Sequence, residues 1–169
     1  MPFRVIGAAA ILGLLSGCVY SFAGGGLPGH IRTVAIEPFE NTTTQPLLES
    51  EIESRMQAEL PRNLGVNLAA EELADAVVRG RITGYEETAA SVRPSSGQTG
   101  SGVSVLQREV RITYQAEIYD LREDRPLWSG SGRSVVGNFQ TESESPEQGR
   151  ARAVEELIQT IIEGAQSQW

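Results

Sequence analysis

The alternation across residues 110–119 constrains the fold more than any other stretch. Val110, Ile112, Tyr114, Ala116 and Ile118 share one parity, while Arg111, Thr113, Gln115, Glu117 and Tyr119 share the other. A period of two is that of a strand with one apolar and one wet face. The strand containing it, read as 103–121, cannot bury that apolar face alone, and two amphipathic stretches are available to cover it. In 46–60, Leu48, Ile52, Met56 and Leu60 recur every four residues, with Glu49, Glu51, Glu53 and Glu59 on other faces. Thr44 is the expected cap there, and Pro46 falls in the first turn, where its missing N–H costs nothing. The second stretch opens with Ser145, Pro146 and Gln148, a capping box with Pro at the first helical position. Its apolar face is Ala151, Val154, Leu157, Ile158, Ile161, Ile162 and Ala165.

The other strands are weaker in pattern. Residues 30–37 are mostly apolar and read as a strand buried on both faces, stopped by Pro38. A short strand is expected at 66–68 and an alternating one at 76–87. Residues 88–102, rich in Ser and Gly, read as a flexible hairpin loop. The strand at 127–139 begins with Trp128 and is thinned by Gly130, Gly132 and Gly137, which leaves room for another backbone to approach. The order strand–helix–strands–helix implies an α+β fold, with two helices on one face of a mixed sheet of about four strands.

The N-terminus has a different character. Val5 to Leu15 has the length and composition of a signal-peptide apolar core, roughly 11 residues where a spanning helix needs about 20. Leu15-Ser16-Gly17-Cys18 then resembles the bacterial lipobox, which needs small residues before the cut and a thiol as acyl acceptor. The expected organisation is a lipoprotein signal peptide at 1–17, cleavage between Gly17 and Cys18, and lipidation of Cys18. An acylated Gly-rich tether follows at 18–29, and a single α+β domain at 30–169. Two or three acyl chains, at about 0.8 kcal/mol per buried methylene, would hold such a chain on a membrane. Cys18 is the only cysteine, so no disulfide is possible within the chain.

The remaining composition excludes more chemistry than it suggests. The net charge is −8, which disfavours nucleic acid as a partner, and all 14 basic residues are Arg. His30 is the only histidine and reads as an exposed loop imidazole. Without a second His or an uncommitted Cys, neither a histidine-based triad nor a conventional zinc site can be assembled. No catalytic residue, metal or cofactor is expected, and the chain does not read as an enzyme. Around the 88–102 loop, Arg93, Arg108 and Arg111 are the candidates for a small cationic cluster, suited to anions. The alternative is that they pair with Glu86, Glu87 or Glu109.

Tyr20-Ser21-Phe22, then Leu27-Pro28-Gly29-His30-Ile31-Arg32 through Pro38-Phe39-Glu40-Asn41-Thr42-Thr43, resembles the LptE family of lipopolysaccharide-assembly lipoproteins, as a divergent, non-enteric member. Ala74-Asp75-Ala76-Val77, Leu127-Trp128-Ser129-Gly130 and the closing amphipathic helix extend the resemblance over nearly the whole mature chain. It implies two helices on a small sheet and a lipid-anchored position at the outer membrane, facing the periplasm. It also implies a function: plugging and supporting the lipopolysaccharide-assembly β-barrel (LptD-like) and contacting lipopolysaccharide on its way to the surface. Family contacts to lipopolysaccharide use basic residues. No motif carries them over here, and Arg93, Arg108 and Arg111 are candidates from local charge alone. Val19 after the cysteine, rather than Asp, is compatible with export to the outer membrane. Val34 to Asn41 followed by a helix also resembles the curli-secretion-channel and penicillin-binding-protein-activator lipoproteins, which oligomerise or regulate a cell-wall enzyme.

Overall fold

The computed structural model describes residues 26–97 and 100–167, with side chains except those of 92–105. Residues 1–17, Cys18 and most of the expected tether lie outside the described residues, as does the side chain of Arg93. Six strands and two helices follow in chain order: β1 (Thr33–Ile36), β2 (Glu40–Asn41), α1 (Leu47–Leu64), β3 (Asn67–Leu68), β4 (Ala76–Gly97), β5 (Gly100–Asp120), β6 (Arg125–Gln140) and α2 (Pro146–Gln166). They form one sheet in the order β3-β1-β4-β5-β6, with β2 also paired to β4. β1 is parallel to β3 and β4, whereas β4, β5 and β6 form an antiparallel meander. The α+β class and mixed sheet are as expected. The short strand expected at 66–68 is present as β3, and the sheet has six strands rather than about four; the two-residue β2, not expected from the sequence, is held by a parallel ladder too short to leave a periodic signal.

The apolar parity of β5 faces the helices: Val110, Ile112, Tyr114 and Ile118 are fully buried, together with Val78 and Ile82 of β4. α1 lies against the β1–β3 side, and α2 crosses β5 and β6 beside it. Leu48, Ile52, Met56 and Leu60 are each fully buried. The helix does not stop at Pro61. It runs on to Leu64, which is also buried, so one more turn of the apolar stripe offsets the hydrogen bond that Pro61 cannot make. Gly65 then ends it at φ 67°, donating its N–H to the Pro61 carbonyl at 3.0 Å. The α1 N-cap is Pro46 rather than Thr44. The turn before it is organised by Asn41, whose side chain accepts from Thr43 N–H and donates to the Gln45 carbonyl at 2.7 Å.

At α2 the capping box is present, with Ser145 N–H donating to Gln148 Oε1 at 3.1 Å. The room that the glycines of β6 leave is taken by this helix. A Cβ on Gly137 would run into the Gly149 carbonyl and lie 2.6 Å from Ala153 N. At the far end of α2, a Cβ on Gly164 would strike the indole of Trp128. Gly132, at φ 62°, stands where the β5–β6 register shifts between Tyr114 and Ala116.

The segment at 88–102 is not a loose loop. β4 and β5 stay paired from Ala76–Asp120 to Gly97–Gly100, and beyond Gln107 no third strand among the described residues accompanies them. The two strands therefore leave the body as a two-stranded arm. His30 is likewise not a free loop imidazole. Its Nε2 lies 2.6 Å from Oδ2 of Asp120, a wholly buried carboxylate 90 residues away. Asp75, the other buried acid, accepts from the N–H groups of Arg32 (2.8 Å) and Thr33 (3.0 Å) and pairs with Arg122 at 2.8 Å. These two carboxylates fasten the segment before β1 to the ends of β4 and β5.

Candidate functional site

The face of the sheet turned away from the helices is built by the polar parity of the same strands. Arg79, Arg81 and Thr83 of β4 stand beside Thr113, Gln115 and Glu117 of β5. A groove of about 520 Å³ crosses this face, lined by Glu37, Glu40, Arg79, Arg81, Gln115 and Glu117, with Ser129 and Ser131 of β6 at its rim. Both of its arginines are paired with a glutamate across strands, Arg79 Nε to Glu117 at 2.6 Å and Arg81 Nη2 to Glu40 at 2.7 Å. The Arg79 guanidinium lies 5.0 Å from the Tyr119 ring centroid, and its hydrogen bond to Glu117 raises its pKa further above the ordinary value. Farther along, Arg111 pairs with Glu109 at 2.6 Å, and the hydroxyls of Thr113 and Ser134 lie 3.0 Å apart.

This surface offers hydrogen-bond donors and acceptors in alternation, with no imidazole or thiol on it among the described residues. Such a face can recognise a polar surface or ligand. Among the described residues no helix is long and apolar enough to cross a membrane.

Arg108 and Arg111 are not brought together, and the side chain of Arg93 lies outside the described residues. Arg108 has the parity of Val110 and the helix-side face, with Nη2 4.0 Å from Glu87. Arg111 lies on the opposite face, paired with Glu109. Each therefore has one of the carboxylate partners named in the alternative reading. That Arg79 and Arg81 share a strand face can be read from the sequence, but their pairing with Glu117 and Glu40 cannot. The polar parity of 77–83 and 111–119 marks the face, but the paired partners lie about 40 positions apart and only strand register joins them.

No curated protein matches the chain. Among solved structures, a protein of Xanthomonas campestris aligns with a TM-score of 0.53 at 10% identity, covering 85% of this chain and 91% of its own. A hypothetical protein of Chlamydia trachomatis aligns at 0.51 and 10% identity, covering 80% and 98%. The PelC dodecamer subunit of Paraburkholderia phytofirmans is 20% identical, with a TM-score of 0.48 over 85% of this chain and 95% of its own. At such identities the first two show a shared fold. Over residues 31–164, from the segment before β1 almost to the end of α2, the sequence matches the LptE lipopolysaccharide-assembly family, and the chain belongs to that family.

Proposed function

We propose that this chain is an outer-membrane lipoprotein, anchored through acyl chains on Cys18 and facing the periplasm. There it plugs and supports an LptD-like lipopolysaccharide-assembly β-barrel and assists lipopolysaccharide on its way to the surface. The observation that carries this reading is the family match across 31–164. Two features of the fold support it. The lumen of an outer-membrane barrel is polar, and the helix-free face of this sheet is polar with its arginines paired to glutamates, so it can lie against such a wall without burying an unmatched cation. A two-stranded ribbon alone is marginal in water. The β4–β5 arm is therefore a natural element to complete its packing against a partner.

Arg93, Arg108 and Arg111 remain the proposed lipopolysaccharide contacts. In a chain of net charge −8, an anionic ligand has to be met by local arginines. Isolation of the acylated protein from membranes tests the main reading: co-purification of a large outer-membrane barrel is expected. A homo-oligomeric ring or a cell-wall synthase in its place would favour the rival lipoprotein classes. Depletion should lower surface lipopolysaccharide, and normal levels would refute the assignment. Replacing the three arginines by Ala should weaken lipopolysaccharide binding at matched ionic strength, and unchanged binding would remove them from the contact.

A further inference from the structure

We infer that His30, Asp120 and Glu123 form a binding site for a divalent transition metal of the zinc class, where the segment before β1 meets the β5–β6 turn. Among the described residues this is the one place where three such donors converge, with one atom from each within 4.8 Å of the others. His30 Nε2 lies 2.6 Å from Asp120 Oδ2 and 3.8 Å from Glu123 Oε1. Ligand atoms bound tetrahedrally at about 2.0–2.2 Å from zinc stand roughly 3.3–3.6 Å apart. The two distances fall on either side of that range. An ion would be admitted by backing the imidazole off by less than about 1 Å and drawing the glutamate in by about half that.

The donors are also aimed. Asp120 is fully buried, and its Oδ1 is held by the N–H groups of Arg122 (2.8 Å) and Glu123 (3.0 Å), which leaves Oδ2 turned toward His30. Glu123 Oε2 is held by Arg125 Nε at 2.7 Å, which leaves Oε1 as the atom facing the imidazole. Carboxylates oriented by a surrounding hydrogen-bond shell are the arrangement that metal sites use to fix their ligands. The half-exposed Glu123 side, where the site opens, leaves a fourth position for water. One imidazole and two carboxylates suit zinc better than magnesium or calcium, which prefer all-oxygen shells. A bound ion would fasten residue 30 to the β5–β6 turn, fixing the direction in which the N-terminal segment leaves the body. This inference does not depend on the barrel reading.

The test uses the untagged full chain purified from membranes in detergent and stripped with a chelator. Zinc is titrated by calorimetry, and Co2+ is titrated as a spectroscopic probe of coordination. H30Q keeps an amide able to donate to Asp120, and E123Q leaves the His30–Asp120 contact intact, so both variants should fold. One ion per chain is expected, with a tetrahedral cobalt spectrum, a zinc-dependent rise in Tm, and affinity weakened roughly 100-fold in H30Q and at least 10-fold in E123Q. No binding by the wild type, or equal binding by all three proteins, would show a plain hydrogen-bonded His–Asp pair and overturn the assignment.

Discussion

Gly137→Ala is expected to be among the most destabilising single-methyl additions this domain can receive. The new Cβ would collide with the carbonyl of Gly149 and lie 2.6 Å from Ala153 N and 2.9 Å from the Gly149 carbonyl carbon. All three are backbone atoms of α2, so no side chain can rotate away. Either the helix lifts from β6 or the strand bends, and Val154, Leu157, Ile158 and Ile161 then lose contact along their length. Overpacking a well-filled core ordinarily costs about 1–3 kcal/mol. With backbone on both sides, the upper end, about 3 kcal/mol, is the reasoned value, which for a domain of this size is roughly 10 °C in Tm.

Two neighbouring changes calibrate that figure. In Gly149→Ala the Cβ meets the buried Phe139 ring at 2.6 Å but backbone only at 3.2 Å, the Gly137 carbonyl, and alanine is favoured in a helix by about 1 kcal/mol, so the net loss is expected at about 1–2 kcal/mol. Gly29→Ala has open space at the Cβ and should stay within about 0.5 kcal/mol of wild type. Urea denaturation of the three variants, with m-values compared, decides. If Gly137→Ala fell within 1 kcal/mol of wild type, or matched Gly149→Ala, the helix–strand contact would be looser than the argument requires.

Acid should unfold the domain partly through its two buried carboxylates. The N–H of Arg32, with Thr33 and Arg122 and against burial, holds Asp75 below its ordinary pKa. Burial alone would push Asp120 up, but the N–H of Glu123, His30 and the N–H of Arg122 together hold it below. Since both are lowered in the folded chain, their contribution is complete above the unfolded value near 4 and is lost as pH falls through the lower folded values. Asp75→Asn should therefore lower stability at pH 7 yet flatten its decline between pH 4 and 2, as urea midpoints across that range would show. Pro61→Ala restores an N–H inside α1 and should stabilise by about 1 kcal/mol in thermal melts, since the helix already has its shape without that bond. Replacing residues 92–105 by a two-residue turn should leave Tm within a few degrees while abolishing co-purification of the barrel. A collapse of Tm would mean that the arm serves the core instead of a partner.

Much of the fold was legible because burial and period coincide in it. The parity of 110–119, the four-residue stripe of α1 and the capping box of α2 each state locally what the packing does globally. The glycines of β6 were legible too, as an opening for another backbone, although not as to which one. What escaped was decided by partners distant in sequence. Pro61 reads as a helix stop. It is overridden because Leu64, one turn on, has a place in the core that only the assembled sheet provides. β2 exists because Asn41 lies beside Ile82. Two residues carry no period, so no local pattern announces them.

The arm and the tether end escaped for related reasons, and the proposed barrel contact and metal site draw on them. Composition marked 88–102 as loop because Ser and Gly bury little. A ladder, however, is made by backbone groups that every residue except proline carries in full, so pairing begun in the body can be carried outward as far as register allows. Nothing in such side chains says whether the ribbon is worth its entropy. That is settled by what it rests against, which is why its partner, and not its sequence, is the informative measurement. His30 presents the opposite case. A single histidine beside a Gly-rich stretch looks idle in one dimension, yet β1 runs beside β4 and β4 beside β5, which brings it to the end of β5 where Asp120 is buried. A buried carboxylate needs donors, and this one obtains two from its own turn and one from residue 30. The imidazole is therefore part of what allows β5 to end on an acid inside the protein, and removing it without replacing the donor would leave Asp120 with one oxygen unmet.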